Sequence, residues 1–176
     1  MKNIIAFAGS DSRTSINKQL VEYAASLLTN VQSEVLDLND FVLPLYSMNY
    51  EIDHGIPDIA NKFLDKIKSS DGIIISLAEH NGAYASVFKN LFDWLSRVDG
   101  KLWSDVPMLL MATSPGGRGG ASVLEIAKGR FPYMGGNIIT DYSLPSFNEN
   151  YSEGKIINDE LNTSLVSRVK LFQDNL

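Results

Sequence analysis

The chain has 176 residues, of which 44% are hydrophobic and 20% are charged, proportions typical of a folded globular domain. It lacks cysteine, which excludes disulfide scaffolds, zinc-thiolate sites, iron–sulfur clusters and thiol nucleophiles, and its two histidines are too few for a multi-histidine metal site. A net charge of −6 without any basic run argues against nucleic-acid binding.

The N-terminal apolar run ends at Gly9, which is too early for the apolar core of a secretion signal. No apolar stretch approaches the roughly 18 residues that a membrane span requires. We therefore expect a cytoplasmic protein with neither membrane nor nucleic-acid partners. We also expect residues 1–176 to form a single domain.

In the first half of the chain, short apolar runs of the strand type alternate with amphipathic stretches of the helical type. The order is strand Asn3–Ala8, helix Asn17–Leu28, strand Ser33–Leu38 and a helix carrying Ile59, Phe63 and Ile67. Asp40–Pro57 is the longest stretch without a clear pattern. Such a long connection in a compact domain is typically functional or part of an interface.

The second half continues the alternation and carries the strongest buried-strand signal, Gly72–Leu77. After it come a helix with the stripe Val87, Phe88, Leu91, Phe92 and Leu95, strand Val106–Ala112, helix Gly119–Lys128, strand Asn137–Thr140 and helix Ile157–Phe172. Trp94 lies off that stripe, which suits either a subunit interface or simple closure of the core. Because the strands are continuously apolar, we predict a three-layer α/β/α sandwich with five parallel strands in the flavodoxin-like order 2-1-3-4-5.

Ligands of such sheets bind beyond the carboxyl ends of the strands, so the loops there are the candidate sites. The first loop combines a turn glycine, four hydroxyls and one cation before a helix start, in Gly9, Ser10, Ser12, Arg13, Thr14 and Ser15. This set suits a phosphate monoester, although it matches neither the Walker A nor the dinucleotide glycine motif. The alternative is an ordinary turn with Ser15 as the helix N-cap.

The third strand is followed by a loop, Ala78–Tyr84, that contains the turn signal Asn81-Gly82. Its exposed N–H groups suit a planar heterocycle, but for this loop taken alone a plain turn with a solvated Glu79 is the better explanation. His80 has no evident partner, which makes it weak evidence for acid–base catalysis.

Four glycines stand within five positions after the fourth strand, at Gly116, Gly117, Gly119 and Gly120. They let the backbone pass close to a flat ligand, or they form a flexible connector. Arg118 is either a surface charge or an attractor for the phosphates of a nicotinamide cofactor.

Taken together, the three loops resemble the NADPH-dependent FMN reductase family, a flavodoxin-like group that includes quinone, azo-dye and chromate reductases. The matching positions are Gly9, Ser10, Ser15 and Asn17, then Glu79, Asn81, Gly82, Lys89, Asn90, Asp93 and Trp94, and finally Ser114, Gly116, Gly119 and Gly120. Ser12 stands at the family's arginine position, with Arg13 one place later. Ala78, His80 and Ala83 replace a proline, a tyrosine and a serine.

The resemblance implies an FMN-binding domain that takes hydride from NADPH or NADH in a ping-pong cycle. Electrons would then pass to quinones, azo or nitro compounds, free flavin or metal oxyanions, with no protein nucleophile. The implied FMN-binding residues are Gly9, Ser10, Ser12, Arg13, Ser15, Ile16 and Asn17 around the phosphate, and Ala78, Glu79, His80, Asn81, Gly82, Ala83, Tyr84, Ser114, Pro115, Gly116 and Gly117 around the ring. It also implies a homodimer or homotetramer. Two alternatives stay open, a flavodoxin-like electron carrier and an interaction module that has lost FMN.

Overall fold

The computed structural model describes all residues, Met1–Leu176. The strands are β1 (Lys2–Gly9), β2 (Val31–Leu36), β3 (Gly72–His80), β4 (Ala83–Tyr84), β5 (Pro107–Thr113), β6 (Asn137–Leu144), β7 (Tyr151–Ser152) and β8 (Lys155–Ile156). The helices are α1 (Ile16–Ser26), α2 (Met48–His54), α3 (Asp58–Lys68), α4 (Ser86–Val98), α5 (Ala121–Arg130), α6 (Phe147–Asn150) and α7 (Asp159–Gln173), with 3-10 turns at Leu38–Asp40 and Phe131–Met134. None of the helices combines the length and the apolar character needed to cross a membrane.

The main sheet has the order β2-β1-β3-β5-β6, and all four pairings along it are parallel. Counted as the five long strands, this is the predicted order 2-1-3-4-5. The prediction of a flavodoxin-like sandwich is therefore confirmed. The short strand β4 is an addition that pairs antiparallel with the end of β3.

Each face of the sheet is covered by its own set of helices. One face carries Phe7, Ile75 and Leu110 and packs beneath α3, α4 and α5, whereas the other carries Ala6, Ile74 and Leu109 beneath α1 and α7. Successive residues of a strand thus enter opposite cores, which explains why the strand sequences are continuously apolar.

Three strands differ from the sequence prediction by two residues or more at an end. β3 continues past Leu77 to His80, because Glu79 and His80 pair with β4. β2 covers Val31–Leu36 rather than Ser33–Leu38, because its ends follow the pairing of Val31–Leu36 with β1 and not its own weak alternation. β6 continues beyond Thr140 to Leu144, since its backbone keeps pairing with β5 up to Thr113 despite the polar Asp141 and Ser143.

The stretch Asp40–Pro57, predicted to lack clear structure, contains α2 and lies against α4. We refer to Phe41–His54 as the strap. Three side chains of α4, spaced by four and three residues, fix it in place. Their bonds run from Tyr46 N–H to Asn90 Oδ1 (2.8 Å), from Trp94 Nε1–H to the Pro44 carbonyl (2.8 Å) and from Arg97 Nε–H to the Glu51 carboxylate (2.9 Å). Trp94 is fully buried beneath Tyr46 and Tyr50, so within this chain it closes the core.

Candidate functional site

The carboxyl ends of β1, β3 and β5 lie side by side at one edge of the sheet, and a cleft of about 290 Å³ opens above them. The cleft brings the three predicted loops together. It is lined by Ser10, Ser12, Thr14, Ser15, Ile16, Asn17, Ala78, Glu79, His80, Thr113, Ser114 and Pro115.

The first loop is shaped by hydrogen bonds that its own hydroxyl oxygens accept. Ser10 Oγ accepts from the Ser12 N–H (3.2 Å), Ser12 Oγ accepts from the Thr14 N–H (3.3 Å), and Ser15 Oγ caps α1 by accepting from the Lys18 N–H (3.1 Å). Because these oxygens act as acceptors, the hydroxyl protons stay available to donate. The predicted N-cap role of Ser15 and a donor role at the cleft are therefore compatible.

The first turn of α1 adds backbone donors to this loop. The N–H groups of Ile16 and Asn17 have no acceptor within the chain, as is usual for the first turn of a helix. Together with the hydroxyls of Ser10, Ser12 and Ser15 they form a donor-rich end of the cleft. Such a donor set fits a phosphate group.

Asn17 also forms the floor of the cleft through its side chain, which is 3% exposed. Its Nδ2 donates to the Thr113 carbonyl (3.2 Å), while its Oδ1 accepts from the Thr113 N–H (3.1 Å) and from the Ser76 hydroxyl (2.7 Å). The side-chain amide of Asn17 thus bonds both backbone groups of Thr113, and it links the end of β5 to α1 and to β3. The Asn17 side chain, predicted to donate to a ligand, is therefore already hydrogen-bonded within the protein, and its backbone N–H is the group that stays available.

The second loop is a tight β-hairpin. Asn81 and Gly82 both have positive φ angles, 52° and 76°, as a type I′ turn requires, so the Asn-Gly turn signal was informative. Glu79 pairs with Tyr84 across the hairpin, and the ring of Tyr84 packs against Phe88. The hairpin is therefore a rigid element rather than a loose loop.

The side chains of this hairpin have different surroundings. The Glu79 carboxylate is half-buried rather than fully solvated, and it accepts a hydrogen bond from the Val123 N–H in the first turn of α5 (3.0 Å). His80 is exposed at the mouth of the cleft. Burial raises the pKa of Tyr84 to about 12, so this phenol stays protonated at neutral pH and does not act as a base.

The glycine-rich loop after β5 is held against the chain segment that follows β6. The Ser114 carbonyl accepts from the Phe147 N–H (3.1 Å), and the Gly116 carbonyl accepts from the Ser146 N–H (3.0 Å). Gly119, with φ of +56°, lies so close to β6 that a Cβ atom would stand 2.8 Å from the Leu144 carbonyl oxygen. Glycine is required at that position by close packing.

The structure brings part of the predicted set into the cleft lining and leaves the rest nearby. The predicted residues in the lining are Ser10, Ser12, Ser15, Ile16, Asn17, Ala78, Glu79, His80, Ser114 and Pro115. The predicted residues outside it are Gly9, Arg13, Asn81, Gly82, Ala83, Tyr84, Gly116 and Gly117. Among these, Gly9 is buried against Phe88, and Arg13 is exposed to solvent.

Two lining residues, Thr14 and Thr113, were absent from the predicted set. Thr113 is the last residue of β5, and its hydroxyl donates to the Leu144 carbonyl (2.7 Å). The rule that ligands sit at strand carboxyl ends could have identified it, because it directly precedes Ser114. Thr14 belongs to the row of hydroxyls recognised in the first loop.

Comparison with known proteins decides between the families that share this fold. Residues 2–149 match the family described as NADPH-dependent FMN reductase. The chain belongs to this family. Its membership confirms the expectation of an NAD(P)H- and FMN-dependent oxidoreductase, and the donor-rich end of the cleft fits the phosphate of FMN.

Curated relatives of this FMN reductase family member include two quinone reductases. It is 35% identical over 133 residues to a 2-hydroxy-1,4-benzoquinone reductase of Burkholderia, covering 74% of this chain and 70% of the relative. It is 30% identical over 123 residues to an NADPH:quinone oxidoreductase of Arabidopsis thaliana, covering 68% of this chain and 61% of the relative.

Among solved structures, FerB, a flavoenzyme NAD(P)H:(acceptor) oxidoreductase of Paracoccus denitrificans, superposes on the chain with a TM-score of 0.78. The two chains are 24% identical, and the superposition covers 99% of this chain and 96% of FerB. At that identity the likeness shows the shared flavodoxin-like fold.

Proposed function

We propose that this family member uses bound FMN to transfer electrons from NADPH or NADH to a small quinone-type acceptor. The observation that carries the proposal is the single cleft in which a donor-rich first loop, a rigid hairpin and a glycine-rich loop meet. The names of the curated relatives support a quinone as the acceptor class. Azo and nitro compounds, free flavin and metal oxyanions are further acceptors to be assayed.

The residues of the cleft divide into two groups by the chemistry that they offer. The hydroxyls of Ser10, Ser12 and Ser15 and the free N–H groups of Ile16 and Asn17 would hold the FMN phosphate. The backbone of Glu79–Tyr84 and of Ser114–Gly117 would border the ring, with Arg13 adding positive charge to the phosphate side. FMN supplies the two-electron redox chemistry when it is bound.

Glu79 is the only acidic side chain in the cleft lining, and His80 is the only basic one. Glu79 is engaged with the Val123 N–H, and His80 is exposed at the mouth. The protein's part in the reaction is therefore to bind, orient and enclose rather than to form a covalent bond with the substrate.

The test is a visible absorption spectrum of the purified protein with FMN, followed by anaerobic addition of NADPH or NADH. Flavin bands that co-elute with the protein and bleach within seconds are the expected result. Bound flavin that resists both nucleotides would replace the proposal with an electron carrier. Absence of flavin binding would favour the alternative of an interaction module that has lost FMN.

The phosphate assignment has a matched pair of variants, because two serines of the chain cap a helix through a side-chain hydrogen bond. Ser15 caps α1 at the cleft, and Ser47 caps α2 away from it. Each serine-to-alanine change removes a cap worth about 1 kcal/mol. We expect Ser15→Ala alone to weaken FMN binding, by about tenfold in Kd. Equal Kd values for the two variants would contradict the assignment.

We further propose that two copies associate through the outer surface of the strap. The strap exposes four large apolar side chains, Val42 (78%), Leu45 (82%), Met48 (70%) and Ile52 (73%). Beside them a groove of about 300 Å³ is lined by Phe41, Leu43, Val87 and Leu91 among others. Such a contiguous apolar surface is typical of an interface.

A second copy is the favoured occupant because the surface is continuous with the candidate site. Asn39, just before the strap, donates from Nδ2 to the Asp11 carbonyl of the first loop (3.1 Å). A homodimer built here would enclose the approach to the cleft, while a homotetramer would need a second surface. In sedimentation we expect Leu45→Asp to dissociate the dimer and Leu171→Asp, at an exposed position of α7, to leave it intact. Wild-type protein that sediments as a monomer would refute the interface.

The remaining parts of the proposal concern organisation and location. We treat residues 1–176 as one FMN-binding domain, supported by the two apolar cores that share a single sheet. The absence of cysteine suits a cytoplasmic location, and cell fractionation tests it.

A further inference from the structure

The glycine-rich loop contributes little rigidity of its own. Gly116 and Gly117 are exposed, and a Cβ atom at Gly117 would meet nothing within 4 Å. The bonds to Ser146 and Phe147 hold the loop from the side of β6. Because glycine leaves the backbone conformationally free, contacts with neighbouring elements fix the position of such a loop.

On the opposite side, Glu79 provides a side-chain bond from the hairpin. Its Oε2 accepts from the Val123 N–H (3.0 Å), which belongs to the first turn of α5. The N-cap residue of α5 is Gly120, which has no side chain to satisfy that turn. Glu79 therefore acts as a cap supplied by another element, and its negative charge also suits the helix N-terminus.

The strand geometry explains why the side chain of Glu79 reaches α5. Odd-numbered residues of β3, such as Ile75 and Leu77, face the core shared with α4 and α5. Glu79 continues this series one step beyond the core, where it is half-buried and lines the cleft. Its partner across the hairpin, Tyr84, packs against Phe88, and this contact fixes the backbone from which the Glu79 side chain extends.

We propose that Glu79 is a positioning residue whose bond to Val123 sets the separation between the hairpin and the glycine-rich loop. This inference rests on the proposed function, in which those two loops border the FMN ring. Glu79 acts through the position of α5 and the loop before it. A residue that only stabilised the fold would not specifically set the distance between these two loops.

The test compares Glu79→Gln, which keeps an acceptor oxygen at the same reach, with Glu79→Ala, which removes it. Glu125→Ala is the matched control, since it removes an exposed carboxylate from the same helix. Hydrogen exchange is measured on the full chain without added FMN, and the Kd for FMN is measured by titration. We expect Glu79→Ala to speed exchange of the Val123 amide and to raise the Kd, each by about tenfold. Glu79→Gln should restore both values to within about threefold, and Glu125→Ala should change neither.

The outcomes separate this inference from the proposed function. Unchanged exchange at Val123 in Glu79→Ala would show that the tether does not hold α5. A Kd that is the same in Glu79→Ala and in the wild type would refute the positioning role while leaving the FMN site intact. A glutamine variant as weak as the alanine variant would also refute it, because charge rather than the bond would then be responsible. Wild-type protein that binds no FMN would overturn the proposed function itself, and the positioning role with it.

Discussion

At Gly119, backbone conformation and close packing demand the same residue. The φ angle of +56° disfavours any L side chain, and a Cβ atom would stand 2.8 Å from the carbonyl carbon and oxygen of Leu144. We expect Gly119→Ala to lower the free energy of unfolding by at least about 2 kcal/mol, because fixed backbone atoms cannot move aside. Urea unfolding measures the difference.

Gly117, in the same loop, is the control for that experiment. A Cβ atom there meets nothing within 4 Å, and its φ lies outside the left-handed region. Gly117→Ala should therefore change stability by less than about 1 kcal/mol. If both alanine variants lost similar stability, the cause would be something other than the contact between Gly119 and β6.

Asn17 illustrates how a motif residue can serve a purpose that its spacing does not reveal. The family resemblance assigns it to the FMN phosphate, and its backbone N–H is indeed free. Its side chain, however, bonds Ser76 and both backbone groups of Thr113. Removing it would affect the architecture of the cleft as well as the ligand.

At the scale of elements, the strap depends on α4 for its position. Asn90 accepts from the Tyr46 N–H and donates to the Pro44 carbonyl (3.0 Å). We expect Asn90→Ala to speed hydrogen exchange at Tyr46, corresponding to a loss of about 1–3 kcal/mol of local stability. Lys89→Ala removes only an exposed ion pair with Asp93 and should leave that exchange unchanged. Equal exchange in both variants would show that the Asn90 bonds do not hold the strap, which would then depend on Trp94, Arg97 and apolar contacts.

The sequence predicts the sheet well because buried strands carry a local signal. It does not predict α2, because this helix has only seven residues and none of them is buried, and its two aliphatic side chains, Met48 and Ile52, are exposed. The bond between Glu79 and Val123 joins residues 44 positions apart, and no local sequence pattern predicts it. The three cleft loops were predictable because strand ends and turn residues mark them. Their contacts were not, because these depend on how the strands align.

At the scale of the whole molecule, several carboxylates are stabilised in their charged form. The Lys18 ammonium, 2.5 Å from Asp37, and the Asn39 N–H lower the pKa of Asp37 to about 2. Lys68 similarly lowers the pKa of Asp99, and the Asn3 N–H lowers that of Asp71. In the unfolded chain these groups bind protons at higher pH, so acid favours unfolding.

The prediction from these pKa values concerns Asp37→Asn. The folded-state pKa lies below the unfolded value, so the contribution of Asp37 is complete above about pH 4 and fades as pH falls towards 2. We expect the variant to be less stable than the wild type at pH 6, by up to about 1 kcal/mol for this partly exposed pair. The difference should shrink at pH 3 in urea unfolding. A difference independent of pH would show that the ion pair contributes nothing.

The bond between Asn17 and Thr113 has a consequence for how the protein is made. It joins residues that are 96 positions apart, in α1 and at the end of β5, and β3 connects β1 with β5 by pairing with both. Contacts of such long sequence separation form late and slowly. On the ribosome, the first loop emerges long before the strand that completes the cleft floor. The cleft that we propose as the FMN site is therefore complete only after β5 has been synthesised, and we expect a chain that ends before Thr113 to bind no FMN.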